Sequence, residues 1–276
     1  MTVFRASRSA TARIVGSIVA LALVAGCATP PPADDKEAVA EWEQVNDPLE
    51  PMNRAVFDFN RTLDTYAIKP AAKGYRAAVP KFGRDRIHNV LTNLDSPLIF
   101  ANDLLQGEAD RAVQTLFRAM INTSFGLLGY ADVAAEAGIP AHEEDFGQTL
   151  AVWGVGEGPF LMLPLFGPSN PRDTTGLVVE FFADPFDIGM ANMGREWISY
   201  TRFGMTGLDK RESLLDTLDE IERTSLDYYA SLRSLYRQHR ASEIKNGRGG
   251  GAKVPNPGFT GSAAPARNDE LSQQAQ

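Results

Sequence analysis

The sequence predicts an all-α domain that is interrupted by one short segment rich in glycine and proline. Apolar residues recur at three- and four-residue steps in several separate segments, and this spacing places them on one face of a helix. Between residues 147 and 176, closely spaced glycines and prolines exclude a long regular helix. The chain of 276 residues is 43% hydrophobic and 9% aromatic, which is typical of a folded protein with a buried core.

The first helix of the domain is predicted to begin at the tetrapeptide Asp47-Pro48-Leu49-Glu50. The Asp47 carboxylate can accept hydrogen bonds from the free amides of the first turn, and Pro48 suits the first helical position. The Glu50 side chain can bond back to the cap. One apolar helical face then follows, formed by Leu49, Met52, Val56, Phe59, Leu63 and Tyr66.

Two further helical segments are predicted before residue 125. An apolar run from 87 to 94 is expected to stop before Pro97, because proline disrupts the interior of a helix. Ser96-Pro97 can start a new helix that continues through Leu105 and ends at Gly107. The next apolar helical face consists of Val113, Leu116, Phe117, Met120 and Ile121.

The longest helix is predicted from Leu214 to Leu235, where apolar residues keep the helical spacing for about six turns. Acidic and basic residues occupy the other face of this segment. The pattern therefore favours a solvated helix that packs one side on the core.

The glycine- and proline-rich segment contains two short apolar stretches, from 160 to 166 and from 177 to 186. Two readings remain open here, a buried hairpin and a re-entrant or interfacial segment, because neither length nor periodicity separates them. The residues that would contact a membrane under the second reading are Phe160, Leu161, Met162, Leu163, Leu165, Phe166, Phe181, Phe182 and Phe186.

The N-terminus has the pattern of a secretory signal peptide. Three arginines precede a short apolar run from Ile14 to Ala25, which falls short of the roughly 20 residues that span a bilayer. The following Val24-Ala25-Gly26-Cys27 resembles the lipobox of bacterial lipoproteins. The resemblance implies cleavage before Cys27, with a diacylglycerol thioether and an N-acyl chain on that residue. Three acyl chains exceed the two signals that stable anchoring needs.

The chain divides into four predicted regions. Residues 1–26 are the signal peptide, residues 27–45 are a lipidated tether rich in proline, alanine and acids, and residues 46–245 form the helical domain. Residues 246–276 contain three consecutive glycines and scattered polar residues, and we predict that this tail is disordered.

Charge and cysteine usage exclude several classes of function. The single cysteine excludes an intramolecular disulfide and a cysteine-rich zinc site. The formal charge is −8, and removal of residues 1–26 deletes three arginines and no acid, which makes it −11. A chain this acidic is not expected to bind nucleic acid, since phosphate binding needs a basic surface.

No motif in the sequence supports catalysis, so we predict that the protein is not an enzyme and needs no metal or cofactor. The sequence His142-Glu143-Glu144-Asp145 lacks the second histidine of a metalloprotease motif. No G-x-S-x-G nucleophile elbow is present. The glycine-rich stretch at 154–158 is followed by Pro159 where a dinucleotide loop has its last glycine.

A set of separated motifs in this sequence resembles the MlaA/VacJ family of outer-membrane lipoproteins. The match covers residues 46 to about 245 and lies behind the lipobox. The motif positions that we single out are Asp47, Pro48, Asn53, Gln106, Gly107, Asn122, Gly147, Gly154, Gly156, Gly158, Pro159, Arg172 and Asp173. Further similar blocks are Asp132-Val133-Ala134, Asp227-Tyr228-Tyr229 and residues 233–238.

The resemblance implies a flattened ring of helices embedded in the outer membrane of a Gram-negative bacterium, with a central amphipathic channel. It implies that the protein removes mislocalised phospholipids from the outer leaflet and passes them to a periplasmic lipid carrier protein. It further implies association with a trimeric porin and termini that face the periplasm. The apolar segments at 160–166 and 181–186 are then expected to contact the membrane, and Arg172, Asp173 and Asn122 are candidates for the channel wall.

Three points stay open at this stage. Helix caps or buried hydrogen bonds explain Arg172, Asp173 and Asn122 as well as a channel wall does. The glycines at 154, 156 and 158 are expected to let a loop bend beside the channel. Two other functions compete with transport, namely a structural or adhesion lipoprotein with a soluble periplasmic domain, and a lipid hydrolase.

Overall fold

The structure of the chain is a computed structural model. It describes residues 47–245, together with Pro32 and Val45. The predicted signal peptide, Cys27, nearly all of the tether and the predicted tail from 246 to 276 lie outside the described residues.

The described residues form eleven α-helices, one π-helical turn and one two-stranded hairpin. In chain order these are α1 (Glu50–Leu63), the π-helix (Asp64–Ile68), α2 (Lys69–Ala78), α3 (Lys81–Leu105), α4 (Ala109–Ser124), α5 (Val133–Glu136), α6 (Phe146–Val152), β1 (Leu161–Leu163), β2 (Gly167–Ser169), α7 (Pro171–Ala183), α8 (Pro185–Asn192), α9 (Glu196–Ser213), α10 (Leu215–Thr224) and α11 (Tyr228–Ile244). The all-α prediction is therefore confirmed for this part of the chain.

The first apolar stretch of the glycine- and proline-rich segment forms a hairpin. Strands β1 and β2 pair antiparallel, with Met162 opposite Pro168. The turn passes through Leu165, whose φ of 70° lies in the left-handed region, and Gly167, at 82°, follows it. The second stretch does not join this hairpin, because residues 177–183 belong to α7.

The hairpin is held against α1 by two asparagine side chains, which we call the asparagine clamp (Asn53 and Asn60). Asn53 donates to the Phe160 carbonyl at 3.0 Å and accepts from the Met162 amide at 2.9 Å. Asn60, two helical turns later, donates to a carbonyl at Leu163 and accepts from the amide of residue 165. Helix α1 thus hydrogen-bonds β1 much as a third strand would.

The start of α1 differs from the prediction. The helix begins at Glu50 with Leu49 in the capping position, and no side chain caps it. Asp47 is buried instead, and its carboxylate accepts hydrogen bonds from Tyr229 and Arg233 of α11. A local capping signal is overridden here by partners more than 180 residues away in sequence.

The prediction that a helix ends before Pro97 is wrong. Helix α3 runs unbroken for 25 residues with Pro97 in its interior. Buried residues of α3 lie on both sides of the proline, with Leu91 before it and Ile99 after it. Packing of both halves stabilises the continuous helix despite the hydrogen bond that proline removes. The end of the helix is as expected, since Gly107 has a φ of 76° just beyond the cap.

The predicted long helix from 214 to 235 is two helices. Helix α10 ends at Thr224, and α11 starts at Tyr228 with the Asp227 side chain accepting from the Ala230 amide. Asp227 also receives two hydrogen bonds from Arg54 of α1. The apolar period continues across the break because both helices pack on the same core.

The main apolar core is small and lies where α1, the hairpin and α11 meet. It consists of Phe57, Phe160, Met162, Tyr229, Leu232 and Tyr236. Three of its aromatic pairs meet edge-to-face with ring centroids 5.6 to 6.1 Å apart. No helix within the described residues is long and apolar enough to cross a membrane.

Candidate functional site

The described residues reverse the usual polarity of a globular protein. Twenty polar or charged residues are buried, against fourteen hydrophobic ones. Twenty-seven large hydrophobic side chains are exposed. Single exposed hydrophobics are normal, but so many on one domain indicate a surface that contacts lipid or another protein.

Helix α4 shows the reversal most clearly. Its apolar face, predicted from the helical spacing, points outward, and Phe117 is 53% exposed. Its buried face is polar and carries Thr115, Arg118 and Asn122. Nη2 of Arg118 donates to both carboxylate oxygens of Asp132, at 2.8 and 2.9 Å. The apolar period predicts the helix correctly, but the side that it buries is the polar one.

The largest buried polar network surrounds Arg240 of α11. Its guanidinium binds both oxygens of Asp145, at 2.5 and 2.6 Å, and both oxygens of Asp173, at 2.8 and 3.0 Å. Tyr236 and Asn170 also donate to Asp173, at 2.5 and 2.7 Å. Burial would raise the pKa of Asp145, but the ion pair with Arg240 holds it at about 2.

Two glycines let α6 and α7 approach closely beside this network. A Cβ atom on Gly176 would lie 2.4 Å from the backbone nitrogen of Gly147. A Cβ atom on Gly147 would lie 2.5 Å from an Arg240 nitrogen and 2.8 Å from an Asp173 oxygen. All three distances are shorter than real Cβ contacts, so each position requires a residue without a side chain.

A partly buried carboxyl at Glu180 links three helices. One of its oxygens accepts from the Phe146 amide of α6 at 2.7 Å and from Asn102 of α3 at 3.1 Å. Burial, with the nearby charge of Asp145, raises the pKa of Glu180 to about 8. The sequence offered one signal for this residue, a single acid inside the apolar run from Leu177 to Phe182.

A second network joins the start of the domain to α11. Asn53 donates to Asp47 at 2.8 Å, and Arg233 pairs with the same carboxylate at 2.7 Å. Tyr229 donates its hydroxyl to Asp47, and burial together with this bond raises its pKa. The aspartate is therefore a structural anchor between α1 and α11.

A third network does not have the geometry of a catalytic triad. Both oxygens of Asp103 lie 3.0 to 3.1 Å from Nε2 of His142, and the Thr115 hydroxyl lies 3.2 Å from the same nitrogen. A triad needs the acid and the nucleophile on opposite ring nitrogens. Within the described residues, no group of three or more histidines, cysteines or acids could hold a metal ion.

The hairpin, α1 and the last three helices enclose a mostly apolar cavity of about 90 Å³. Phe57, Met162 and Leu232 line it. Cavities of about 150 Å³ hold one benzene molecule, so this one admits at most the end of an acyl chain. It is not the site of a whole phospholipid.

Comparison with known proteins decides the family. The MlaA lipoprotein family model matches residues 45–243. The chain belongs to the MlaA lipoprotein family.

MlaA proteins of two bacteria are similar to this chain. One from Haemophilus influenzae, named intermembrane phospholipid transport system lipoprotein MlaA, is 32% identical over 243 residues, covering 86% of this chain and 92% of its own length. The Escherichia coli protein of the same name is 32% identical over 210 residues, covering 73% of this chain and 79% of its own.

A solved structure described as the structural basis for maintenance of bacterial outer membrane lipid asymmetry is also similar. It matches with a TM-score of 0.63 and 34% identity, covering 72% of this chain and 98% of its own.

The MlaA motif positions predicted from sequence fall mainly in the buried networks. Gly147, Asp173 and Arg172 meet around Arg240, with the Arg172 Nε donating to Asp173 at 2.9 Å. Gln106 donates to Glu144 at 2.7 Å. These contacts join distant parts of the chain.

Three positions that were candidates for a channel wall have structural contacts. Asn122 donates to Asp132 and accepts from the Ala134 amide, both at 2.9 Å. Asp173 follows the cap of α7, where the Asn170 side chain accepts from its amide. Buried hydrogen bonds, the alternative that the sequence left open, account for Asn122, Arg172 and Asp173.

The three loop glycines of the MlaA motif differ from one another. Gly154 and Gly158 have φ values of 89° and 70°, in the left-handed region that favours glycine. Gly158 also packs against Pro171, which a Cβ atom would approach at 3.1 Å. Gly156 has no such φ, and nothing lies within 4 Å of a Cβ built on it. The structure therefore explains the first two glycines and gives no steric reason for Gly156.

Four of the predicted membrane-contact residues form a buried pair and an exposed pair. The prediction is wrong for Phe160 and Met162, because their side chains are 2% and 4% exposed in the core beside the hairpin. Phe181 and Phe182 of α7 are 65% and 73% exposed. Alternation along β1 explains the first result, since successive side chains of a strand face opposite sides.

The remaining membrane-contact candidates keep some exposure. They are Leu161, Leu163, Phe166 and Phe186, which are partly buried, and Leu165, which is exposed. Phe186 packs its ring against the Arg202 guanidinium at 5.0 Å. Their contact with lipid stays a prediction.

Proposed function

We propose that this protein is the outer-membrane lipoprotein of a phospholipid transport system. It would remove mislocalised phospholipids from the outer leaflet and pass them to a periplasmic lipid carrier protein, which maintains lipid asymmetry. The observation that carries the proposal is the reversed polarity, with polar networks inside and large apolar side chains outside. The transport role named for the MlaA relatives supports it.

The physical task explains why this polarity is useful. Moving an ionised headgroup through hydrocarbon costs several kcal/mol, because the charge loses its water. A protein with an apolar exterior sits in lipid, while polar groups inside it offer the headgroup a path of lower cost. The acyl tails would remain near the surrounding lipid.

Rigid polar networks would hold such a structure in shape inside a membrane. Water does not compete for hydrogen bonds in hydrocarbon, so every buried polar group needs a protein partner. The Arg240 network meets this need with two bidentate carboxylate contacts. These networks would brace the helices rather than bind the lipid.

Anchoring and partners complete the proposal. Cys27 would carry the diacylglycerol and N-acyl chains, which fix the protein to the membrane with both termini in the periplasm. A trimeric porin would hold the domain in place laterally. The protein would catalyse no covalent reaction.

A deletion strain tests the proposed function. Deleting the gene should increase the phospholipid that an externally added, membrane-impermeant amine reagent labels on intact cells. The wild-type gene should restore the original level, and Cys27→Ala should restore it less because the anchor is lost. Unchanged labelling in the deletion strain would instead favour a structural or adhesion lipoprotein.

The hydrolase alternative makes a different prediction. His142→Gln removes the best-placed imidazole, and a hydrolase should then lose its reaction products. If cells that express the protein release no lysophospholipid or fatty acid beyond the deletion strain, hydrolysis is excluded.

A further inference from the structure

The loop that follows α4 presents a group of exposed apolar side chains, which we call the 125–130 loop. Phe125, Leu127 and Leu128 are 77%, 75% and 69% exposed, and Tyr130 is 45% exposed. Leu127 and Leu128 have φ values of 53° and 61°, a backbone conformation that residues other than glycine rarely adopt. Such strain persists where surrounding structure enforces it, and it often marks a functional segment.

The 125–130 loop is held firmly by its neighbours. The Leu128 amide donates to the Thr123 carbonyl at 3.1 Å, and the Gly129 amide donates to the Asn122 carbonyl at 2.9 Å. Gly129 also packs against Asn93 of α3, which a Cβ atom would approach at 2.5 Å. The leucines are therefore displayed by a braced turn.

Arg86 of α3 lies directly beside this loop, and no carboxylate within residues 47–245 pairs with it. Its guanidinium carbon is 4.6 Å from the centroid of Phe82 and 5.6 Å from that of Tyr130, and Nη1 donates to the Tyr130 carbonyl. Among the fifteen arginines of residues 47–245, thirteen form ion pairs, whereas Arg86 and Arg195 form none. Among the residues that the structure describes, the Arg86 charge is therefore not neutralised by an acid, which makes it suited to binding an external anion.

The dimensions of the apolar stripe suit one leaflet. The exposed side chains of α4 begin at Val113 and lead into the loop after Ser124. This helical stretch is about 16 Å long at 1.5 Å per residue, and one leaflet contributes about 15 Å of hydrocarbon. Tyr130, Phe82 and Arg86 then lie at the end of the stripe, where aromatic and arginine side chains occur at membrane interfaces.

We propose that the 125–130 loop and Arg86 form an anchoring site for a membrane phospholipid. Phe125, Leu127 and Leu128 enter the acyl-chain region, and the Arg86 guanidinium binds the phosphodiester of one lipid. A charged guanidinium nitrogen forms a strong hydrogen bond with a phosphate oxygen, and the flanking rings of Phe82 and Tyr130 fix the orientation of the group. The inference deepens the proposed function, on which it rests for the placement of the domain in a membrane.

Fluorescent labelling of the full-length lipidated protein in vesicles tests this site. Leu128→Cys provides a single free thiol for an environment-sensitive dye, because Cys27 is the only natural cysteine and its thiol is predicted to be acylated. Leu226→Cys is the matched control, since Leu226 is fully exposed outside the stripe. Unsubstituted protein treated with dye measures any labelling at Cys27. The vesicles contain phosphatidylethanolamine and phosphatidylglycerol at 3:1.

A lipid with a nitroxide on its acyl chain should quench the dye on the Leu128→Cys variant at least ~3-fold more than the dye on the Leu226→Cys variant, since the loop enters hydrocarbon. Adding Arg86→Gln should lower the quenching by roughly half, because the phosphate contact is lost. Arg223→Gln removes the same charge at an exposed ion pair and should change nothing. Soluble glycerophosphoglycerol should not compete, because the site binds lipid in the bilayer.

Three outcomes would overturn the proposal. Iodide in water could quench both dyes equally, or Arg86→Gln could leave the quenching unchanged. The dye on the Leu128→Cys variant could also become protected from iodide only when a porin trimer is added. That result would make this surface a protein interface. Insertion into vesicles needs no transport partner, so failed insertion refutes this site alone if deleting the gene still increases the surface labelling of phospholipid. Failed insertion together with unchanged labelling in the deletion strain refutes the proposed function as well.

Discussion

The close approach of α6 and α7 allows a sharp test of how the Arg240 network is built. Gly147→Ala adds one methyl group at the point where Gly147, Asp173 and Arg240 meet. The new carbon would lie 2.5 Å from an Arg240 nitrogen and 2.8 Å from an Asp173 oxygen. Neither partner can move away easily, because Arg240 is bonded to four carboxylate oxygens of two aspartates.

The size of the effect follows from what must move. Overpacking a tight interior costs about 1–3 kcal/mol. Separating a buried ion pair costs about 3–5 kcal/mol, and the better helix propensity of alanine returns less than about 1 kcal/mol. We therefore expect Gly147→Ala to lower the free energy of unfolding by about 3 kcal/mol. For a domain of this size that corresponds to a melting temperature lower by roughly 10 °C.

Gly204→Ala is the matched control, because it makes the same substitution inside a helix. Gly204 lies in α9, and nothing is within 4 Å of a Cβ atom built there. This variant should gain about 0.5–1 kcal/mol from helix propensity alone. Both proteins would be purified from the membrane fraction in detergent, and unfolding would be followed by circular dichroism at 222 nm.

One result would refute the reasoning. If the melting temperature of Gly147→Ala stays within about 2 °C of the wild-type value, the contacts are looser than the structure shows. If both alanine variants lose stability equally, the effect belongs to glycine replacement in general and not to the Arg240 network.

Further predictions concern pH, the asparagine clamp and the two groups of phenylalanines. The pKa of Glu180 is about 8 in the folded protein, against an ordinary 4.5, so the protonated carboxyl stabilises the fold below pH 4.5 and this contribution is lost as the pH rises to 8. The free energy of unfolding should therefore fall on the order of 3 kcal/mol between pH 5 and 8. In Glu180→Gln the free energy of unfolding should depend less on pH over this range. Asn53→Ala leaves the Met162 amide of β1 and the Phe160 carbonyl just before it without their partner, and should lower the urea midpoint more than Asn60→Ala, whose partners are near the exposed turn. Phe160→Ala should destabilise the domain by about 3–5 kcal/mol in thermal unfolding. Phe181→Ala should leave unfolding in detergent nearly unchanged and weaken vesicle insertion, and the reverse order would contradict the burial of the two rings.

Local sequence signals predicted the helices well where the cause is local. The end of α3 depends on Gly107 adopting a positive φ, which a glycine after an apolar run predicts. The break between α10 and α11 was missed, although Asp227 caps α11 directly. The apolar spacing continues across this break, and spacing alone cannot show that the chain turns there.

Periodicity does not show which face of a helix is buried. On α4, the apolar spacing gives the helix, yet Arg118 and Asn122 face inward and Phe117 faces outward. Hydrogen bonds that Arg118 and Asn122 donate to Asp132 hold the polar face inside, and Asp132 follows the helix in a separate turn. Only the resemblance to a membrane-embedded family suggested an apolar exterior.

The site residues could be located from motifs, but their roles depend on distant partners. Asp47 was identified as a helix cap, and its actual partners Tyr229 and Arg233 lie near the other end of the domain. Phe160 and Phe181 both stand in short apolar runs. Phe160 directly precedes β1 and is buried, whereas Phe181 lies on α7 and is exposed, and composition alone does not separate the two.

The asparagine clamp has a consequence for how this protein avoids self-association. A short exposed strand presents unpaired amides and carbonyls, which can pair with a strand of another molecule. Asn53 and Asn60 occupy these groups on the side of β1 next to α1. A chain with many exposed apolar side chains is prone to aggregate in water, and the closed edge of β1 removes one template for intermolecular sheet growth.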